Sequence, residues 1–293
     1  MSASLVTQPA RLLLATDLSA RCDRALDRAA QLAEEWHAEL IALNVLDIAA
    51  SPDQALAWAT GANDDQVFNI ARRQLARDLS GLHIHATMRM ARAGDAAAAI
   101  RDVAARTDSG LVVTGVACNE VLGRFLLGST VERLARTLPQ PLLVVRNRAR
   151  SPYRRVVVAT DFSDSSRHAL LAAARLLPGR ELILYHAYQS PSSGISNNLP
   201  HVHLSREIEQ GEYADFLAAS KLPADVTVRP AIEHGALEIS LTRYVRNHEI
   251  ELVLMGTHGR SGVMSILLGS SATNLLNWLP CDVLVVREPR AIT

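Results

Sequence analysis

Two short glycine clusters in the second half of the chain carry the residue types from which an anion site is built. They are Gly256-Thr257-His258-Gly259 and, after nine intervening residues, Gly269-Ser270-Ser271. A glycine backbone has no Cβ, so it lets phosphate oxygens approach its N–H groups and can take a positive φ. Gly269 and Ser270 are placed to open a helix, where unpaired N–H groups and the dipole favour an anion, and Ser270 and Ser271 add hydroxyl donors. The two clusters would face one triphosphate, with residues 260–268 as an arm over it and Arg260 as the nearest cation in sequence. A Walker-type loop is excluded, because it needs a lysine directly after its last glycine. The chain has a single lysine, Lys221, which stands in Ala-Ser-Lys-Leu-Pro, past an expected helix end. The Arg260 guanidinium is the candidate substitute for that missing ammonium.

Other polar candidates carry less. Thr160 and Asp161 close an apolar run, and Asp161 could contact a ligand or cap the following helix with Ser163; for its twin Asp17, with Ser19, capping is the leading reading. His201 and His203 form an HxH pair, with His234 and His258 elsewhere, a pattern commoner in solvated loops than in metal sites. Cys22, Cys118 and Cys281 are odd in number, widely spaced and without CxxC, which points to reduced thiols. No triad, paired-carboxylate site or metal-ligand cluster stands out, so efficient turnover is not expected.

The elements that must position these residues occur twice. Arg11–Ser19, RLLLATDLS, returns as RVVVATDFS at Arg155–Ser163; GLVVTGVAC from Gly110 pairs with ELVLMGTHG from Glu251; LLGSTVERLARTLP from Leu126 pairs with LLGSSATNLLNWLP from Leu267. The order is the same in both halves, so the chain reads as duplicated domains, 1–147 and 153–293, joined by the polar segment 147–153. Within each half, short β-branched runs alternate with helical periodicity, which predicts a parallel sheet covered by helices. Strands are expected at Arg154–Thr160, Glu181–Tyr188, Asp225–Pro230, Ile250–Gly256 and Asp282–Arg287, and in the first half near Arg11, Glu39, His83, Leu111 and Leu142. Gln189–Pro200, rich in turn residues, is a candidate flap or a plain surface insertion. In a doubly wound sheet ligands bind beyond the carboxyl ends of the strands where strand order reverses, and an order 3-2-1-4-5 would bring Thr160 and Asp161 beside Gly256.

The formal charge is zero, so nothing draws in nucleic acid or an anionic membrane surface. No apolar run approaches a membrane span and the N-terminus lacks a leader pattern, so a cytoplasmic location is expected.

At the glycine clusters the chain resembles the universal stress protein family, whose ATP-binding members carry GxxGx9G[ST] after the fourth strand; Gly256, Gly259, Gly269 and Ser270 match with the spacing intact. The resemblance covers essentially the whole chain twice. It implies an α/β fold of two tandem doubly wound five-stranded parallel sheets, Rossmann-like and adenine nucleotide alpha-hydrolase-like. It also implies ATP as ligand, with Asp161 contacting the nucleotide and holding Mg²⁺ through it, and with Ala187 and Met255 near adenine. The first half departs from the pattern. Gly115, Gly128, Ser129 and Thr130 are in place, but Cys118 stands where the second glycine belongs and Glu120 adds a carboxylate to the arm. A side chain at positive φ costs about 1 kcal/mol or more, so ATP binding by this half is expected to be weak or absent. The fifth strands, PLLVVR and DVLVVR, join subunits in the family; the tandem chain is therefore expected to form an internal pseudo-dimer, with a homodimer of it as an open alternative. The expected role is an ATP-binding stress protein that signals to a protein partner. The rivals are a slow ATPase or self-phosphorylating protein using Asp161 and Mg²⁺, and a nucleotide-free scaffold.

Overall fold

The computed structural model describes residues 8–20, 22–46, 64–116, 120–121, 124–125, 128–189, 207–258 and 269–288. The chain forms two compact units, one of Pro9–Asn119 with Leu126–Pro152 and one built on Tyr153–Thr293, to which Glu120–Phe125 also belongs.

In the first unit, β1 (Arg11–Thr16), β2 (Glu39–Leu46), β3 (Ala86–Arg92) and β4 (Leu111–Gly115) are all parallel, as is the last strand, β7 (Leu142–Val145). The spatial order is β3-β2-β1-β4-β7. Helices α1 (Asp23–Trp36), α2 (Asp64–Leu79), α3 (Ala96–Arg106) and α4 (Ser129–Thr137) connect them. Between β4 and α4, the two-residue strands β5 (Glu120–Val121) and β6 (Arg124–Phe125) pair antiparallel. The strand β1 shows why the sheet is covered on both sides: Leu12, Leu13 and Leu14 are consecutive and all fully buried, which an alternating, half-solvated strand could not achieve.

The second unit repeats the plan with β8 (Val156–Ala159), β9 (Leu182–Tyr188), β10 (Val228–His234), β11 (Leu252–Gly256) and β12 (Asp282–Val286), in the order β10-β9-β8-β11-β12 and all parallel. Its helices are α5 (Asp164–Leu176), α6 (Ala214–Ser220, continuing a π-helical turn at Glu209–Tyr213), α7 (Leu237–Asn247) and α8 (Ser270–Trp278). Each half thus has the doubly wound order 3-2-1-4-5. Helix α5 starts because the Ser163 hydroxyl accepts the Ser166 N–H at 3.3 Å, and it buries Ala169, Leu170, Ala173 and Leu176 against the sheet. Lys221 ends α6 at φ 47°, the left-handed conformation common at helix C-termini.

Two local expectations are corrected. The third strand of the second half is Val228–His234, not Asp225–Pro230; Pro230 sits inside it because β10 lies at the outer edge beside β9 alone, where a missing N–H is tolerated. Tyr153 is not part of an exposed linker: it is 2% exposed and its hydroxyl donates to Asp282 Oδ2 at 2.5 Å. The proposed flap from 190 to 200 lies outside the described residues.

Candidate functional site

The turn after β8 is built by its own side chains. Thr160 Oγ1 accepts the Phe162 N–H at 2.9 Å and lies 2.9 Å from Ser166 Oγ. Asp161 Oδ1 accepts the Ser163 N–H at 3.1 Å and its hydroxyl at 2.6 Å. Phe162 is driven to φ 63°. The turn after β1 repeats the backbone-anchoring bonds, with Leu18 N–H to Thr16 at 3.0 Å, Ser19 N–H and hydroxyl to Asp17 Oδ1 at 2.9 and 2.7 Å, and Leu18 at φ 62°, while Cys22 stands in the place of Ser166. A neighbouring strand completes both turns, His186 Nδ1 meeting the Thr160 carbonyl at 2.9 Å and Asn44 Nδ2 donating to the Thr16 carbonyl at 2.9 Å. Ser163, braced by Asp161, caps α5, whereas α1 starts after Cys22 with no side-chain cap, so the capping reading offered for Asp17 and Ser19 is corrected: their bonds build a turn alone. Phe162 packs on the His186 ring, centroids 4.5 Å apart, and on Phe216 at 5.6 Å.

The glycine clusters meet at the carboxyl end of β11. Gly256 is glycine for packing: a Cβ there would lie 2.8 Å from the backbone carbonyl carbon and oxygen of Ser165 and 2.4 Å from its hydroxyl. Its place is set by the close approach of α5, not by positive φ. Thr257 is buried and its carbonyl accepts the Gly269 N–H at 3.0 Å, which joins the start of the fourth-strand turn to the start of α8. His258 is held there too, its N–H 3.3 Å from Ser165 Oγ and its Nδ1 2.8 Å from Thr257 Oγ1. Gly269 takes φ −56°, ψ 149° as the N-cap and has no side chain to occupy the first N–H groups of α8. Ser270 and Ser271 are exposed beside them. Gly259 and Arg260, with the rest of the arm to residue 268, lie outside the described residues, as do Cys118, Asn119, His201 and His203.

Strand register places the remaining candidates. Ala159 pairs with Tyr185, and Val158 with Leu254, so by alternation Ala159, Tyr185, Ala187 and Met255 share one face of the sheet. Ala187 pairs with Glu233 on the next strand, which brings Glu233 to the same face. Met255 is buried, and Ala187 is half-buried. The Tyr185 hydroxyl donates to Glu233 Oε2 at 3.1 Å, and Arg243 of α7 reaches the same oxygen at 3.2 Å. Burial first, and then the Glu233 charge, holds the Tyr185 phenol far above its usual range. Sequence reasoning missed this network, because it ended the third strand at Pro230 and so left Glu233 outside it.

The equivalent place in the first half is a recess of about 130 Å³, lined by Asp17, Cys22, Leu43, Val45, Ile100 and Thr114 among others. Burial alone would raise the Asp17 carboxyl, but its hydrogen bonds from Ser19 outweigh that and leave it below the ordinary value. Burial, then the nearby Asp17 charge, pushes the Cys22 thiol up to about 12. Among the described residues no group of three or more His, Cys, Asp or Glu could hold a metal, and no helix is long and apolar enough to cross a membrane.

Comparison with known proteins agrees with this fold. The chain is 28% identical over 153 residues to a universal stress protein of Methanocaldococcus jannaschii, covering 50% of this chain and 89% of that one. It is 28% identical over 163 residues to one of Synechocystis, covering 55% of this chain and 52% of that one. A solved universal stress protein from Archaeoglobus fulgidus superposes with a TM-score of 0.69 at 20% identity, covering 96% of this chain and 99% of that one, a likeness of fold. The profile of the Universal stress protein family matches twice, at residues 10–146 and 152–287. The chain therefore belongs to the universal stress protein family, as a tandem of two such domains.

Proposed function

We propose that the second domain binds ATP as a sensing or regulatory ligand and holds it without efficient hydrolysis, in a cytoplasmic protein that signals to a protein partner. The observation that carries this reading is the hydrogen bond from the Gly269 N–H to the Thr257 carbonyl, which brings both glycine clusters of the nucleotide motif to one place beyond β8 and β11. The residues suit a triphosphate: an α8 N-terminus without a capping side chain, with exposed Ser270 and Ser271 hydroxyls alongside. Gly259 and Arg260 would complete the phosphate cradle. Ala187 and Met255 would lie toward the base.

Bound Mg²⁺ would neutralise phosphate charge, and Asp161 is the carboxylate suited to hold it through the nucleotide. A holding role is favoured because the chain lacks a Walker lysine and because Asp161 Oδ1 already serves two Ser163 donors. Asp17 does the same in the half whose glycine motif is degenerate.

The test is to denature the purified protein, identify any released nucleotide and titrate the stripped protein with ATP by calorimetry. Adenine nucleotide in the extract, or saturable ATP binding weakened by Gly269→Val, is expected. Absence of both would leave the glycines as turn residues only.

A further inference from the structure

We propose, building on the ATP reading above, that Glu233 reads the base: its carboxylate accepts a hydrogen bond from the exocyclic amine, so the second domain takes a 6-aminopurine over a purine lacking that group.

The strand order fixes which end of a nucleotide could reach Glu233. The phosphate anchors, Thr257 and the start of α8, lie at β11, on one side of β8; β9 and then β10 lie on the other. Parallel strands stand about 4.8 Å apart, so β10 is about 14 Å from β11, within the reach of an extended nucleoside triphosphate. Laid along the carboxyl ends, the base passes Ala187, whose methyl leaves room on that face, and next meets Glu233, its register partner one strand out.

Glu233 is prepared for such a contact. Tyr185 and Arg243 both engage Oε2, which fixes the carboxylate while an ionised carboxyl has about four acceptor positions in all. Guanidinium on one side and a phenol on the other offset the cost of holding a charge near a ligand. An amine at position 6 donates to this group, whereas a carbonyl there would set acceptor against acceptor.

The other half supplies the contrast. Asn44 and His186 occupy matching places, so Leu43 corresponds to Tyr185 and Val45 to Ala187. Val45 pairs with Ala91 as Ala187 pairs with Glu233. The half with the broken glycine motif thus has leucine and alanine where the half with the intact motif has tyrosine and glutamate.

The experiment titrates the full chain, unaltered and as Glu233→Ala, with ATP and with purine riboside triphosphate, which lacks only the 6-amino group. The unaltered protein is expected to prefer ATP by about tenfold to a hundredfold, the range for one hydrogen bond to a charged acceptor. In Glu233→Ala that preference collapses toward unity while the analogue binds as before, which also shows the site intact. An unchanged preference in the variant overturns the role of Glu233 and leaves the ATP site standing. Loss of both nucleotides alike overturns it too, because the carboxylate would then serve the fold. An unaltered protein that binds neither nucleotide overturns the ATP reading itself.

Discussion

His186 Nδ1 stands 2.9 Å from the carbonyl oxygen of Thr160 and closes the turn on which the candidate site is built. In the first domain an amide does the same work, Asn44 Nδ2 reaching the Thr16 carbonyl at the same distance. Two different side chains with one donor in one place identify the carbonyl as the group that requires a partner. His186→Ala is therefore expected to destabilise the second domain by about 1–3 kcal/mol, the cost of an unpaired buried acceptor. His186→Asn should recover most of that loss. Urea unfolding followed by circular dichroism distinguishes them, and equal midpoints for the two variants would count against the assignment.

Gly256→Ala should be costly for a reason unconnected with any ligand. The new methyl would press on the backbone of Ser165 at 2.8 Å, so α5 must shift. A loss of about 1–3 kcal/mol is expected, measured in nucleotide-free protein. Adding Ser165→Ala should not restore it, because the clash involves main-chain atoms; rescue by that second change would place the contact on the hydroxyl instead.

Gly269→Ala should behave in the opposite way. Its φ of −56° suits any residue and an added Cβ would stand 3.3 Å from the Thr257 carbonyl oxygen, close but adjustable. Thermal unfolding should move by only a few degrees, while ATP affinity falls about tenfold as the cradle shifts. Calorimetry and a melting scan on the same sample give both quantities.

Cys22 gives a pH prediction. Its folded-state value near 12 lies above the ordinary 9.0, so the neutral thiol is favoured by the fold. The stability it contributes is fully present below pH 9.0 and declines as pH rises toward 12. At pH 8 the native protein should show almost no alkylation of Cys22 by iodoacetamide, and the urea-unfolded protein should react readily. Peptide mass spectrometry resolves this thiol from Cys118 and Cys281.

The fold was legible because its signals are periodic and occur twice: continuous apolar strands, helices between them and the same Ala-Thr-Asp-x-Ser turn in each half. The third strand was misplaced because Pro230 reads as a terminator from local sequence, and only its position at the edge makes it harmless. Tyr153 was misread because its partner Asp282 is 129 residues away. The glycine spacing pointed to the carboxyl end of the sheet, where Gly256 and Gly269 do lie, yet Gly256 proved to answer to Ser165, a close approach no spacing rule contains. Glu233 fell beyond the expected strand end at Pro230, and its ties to Tyr185 and Arg243 depend on a register and a helix position that sequence does not supply.

The repeated Thr-Asp turn gives this chain an internal control. Hydrogen bonds found at both Thr16 and Thr160 record what the architecture demands of any sequence that adopts it. Divergence accumulates elsewhere, at Leu43 against Tyr185, Ala91 against Glu233 and Cys118 against Gly259. A duplicated protein of this kind separates what its two halves share from what sets them apart within a single molecule.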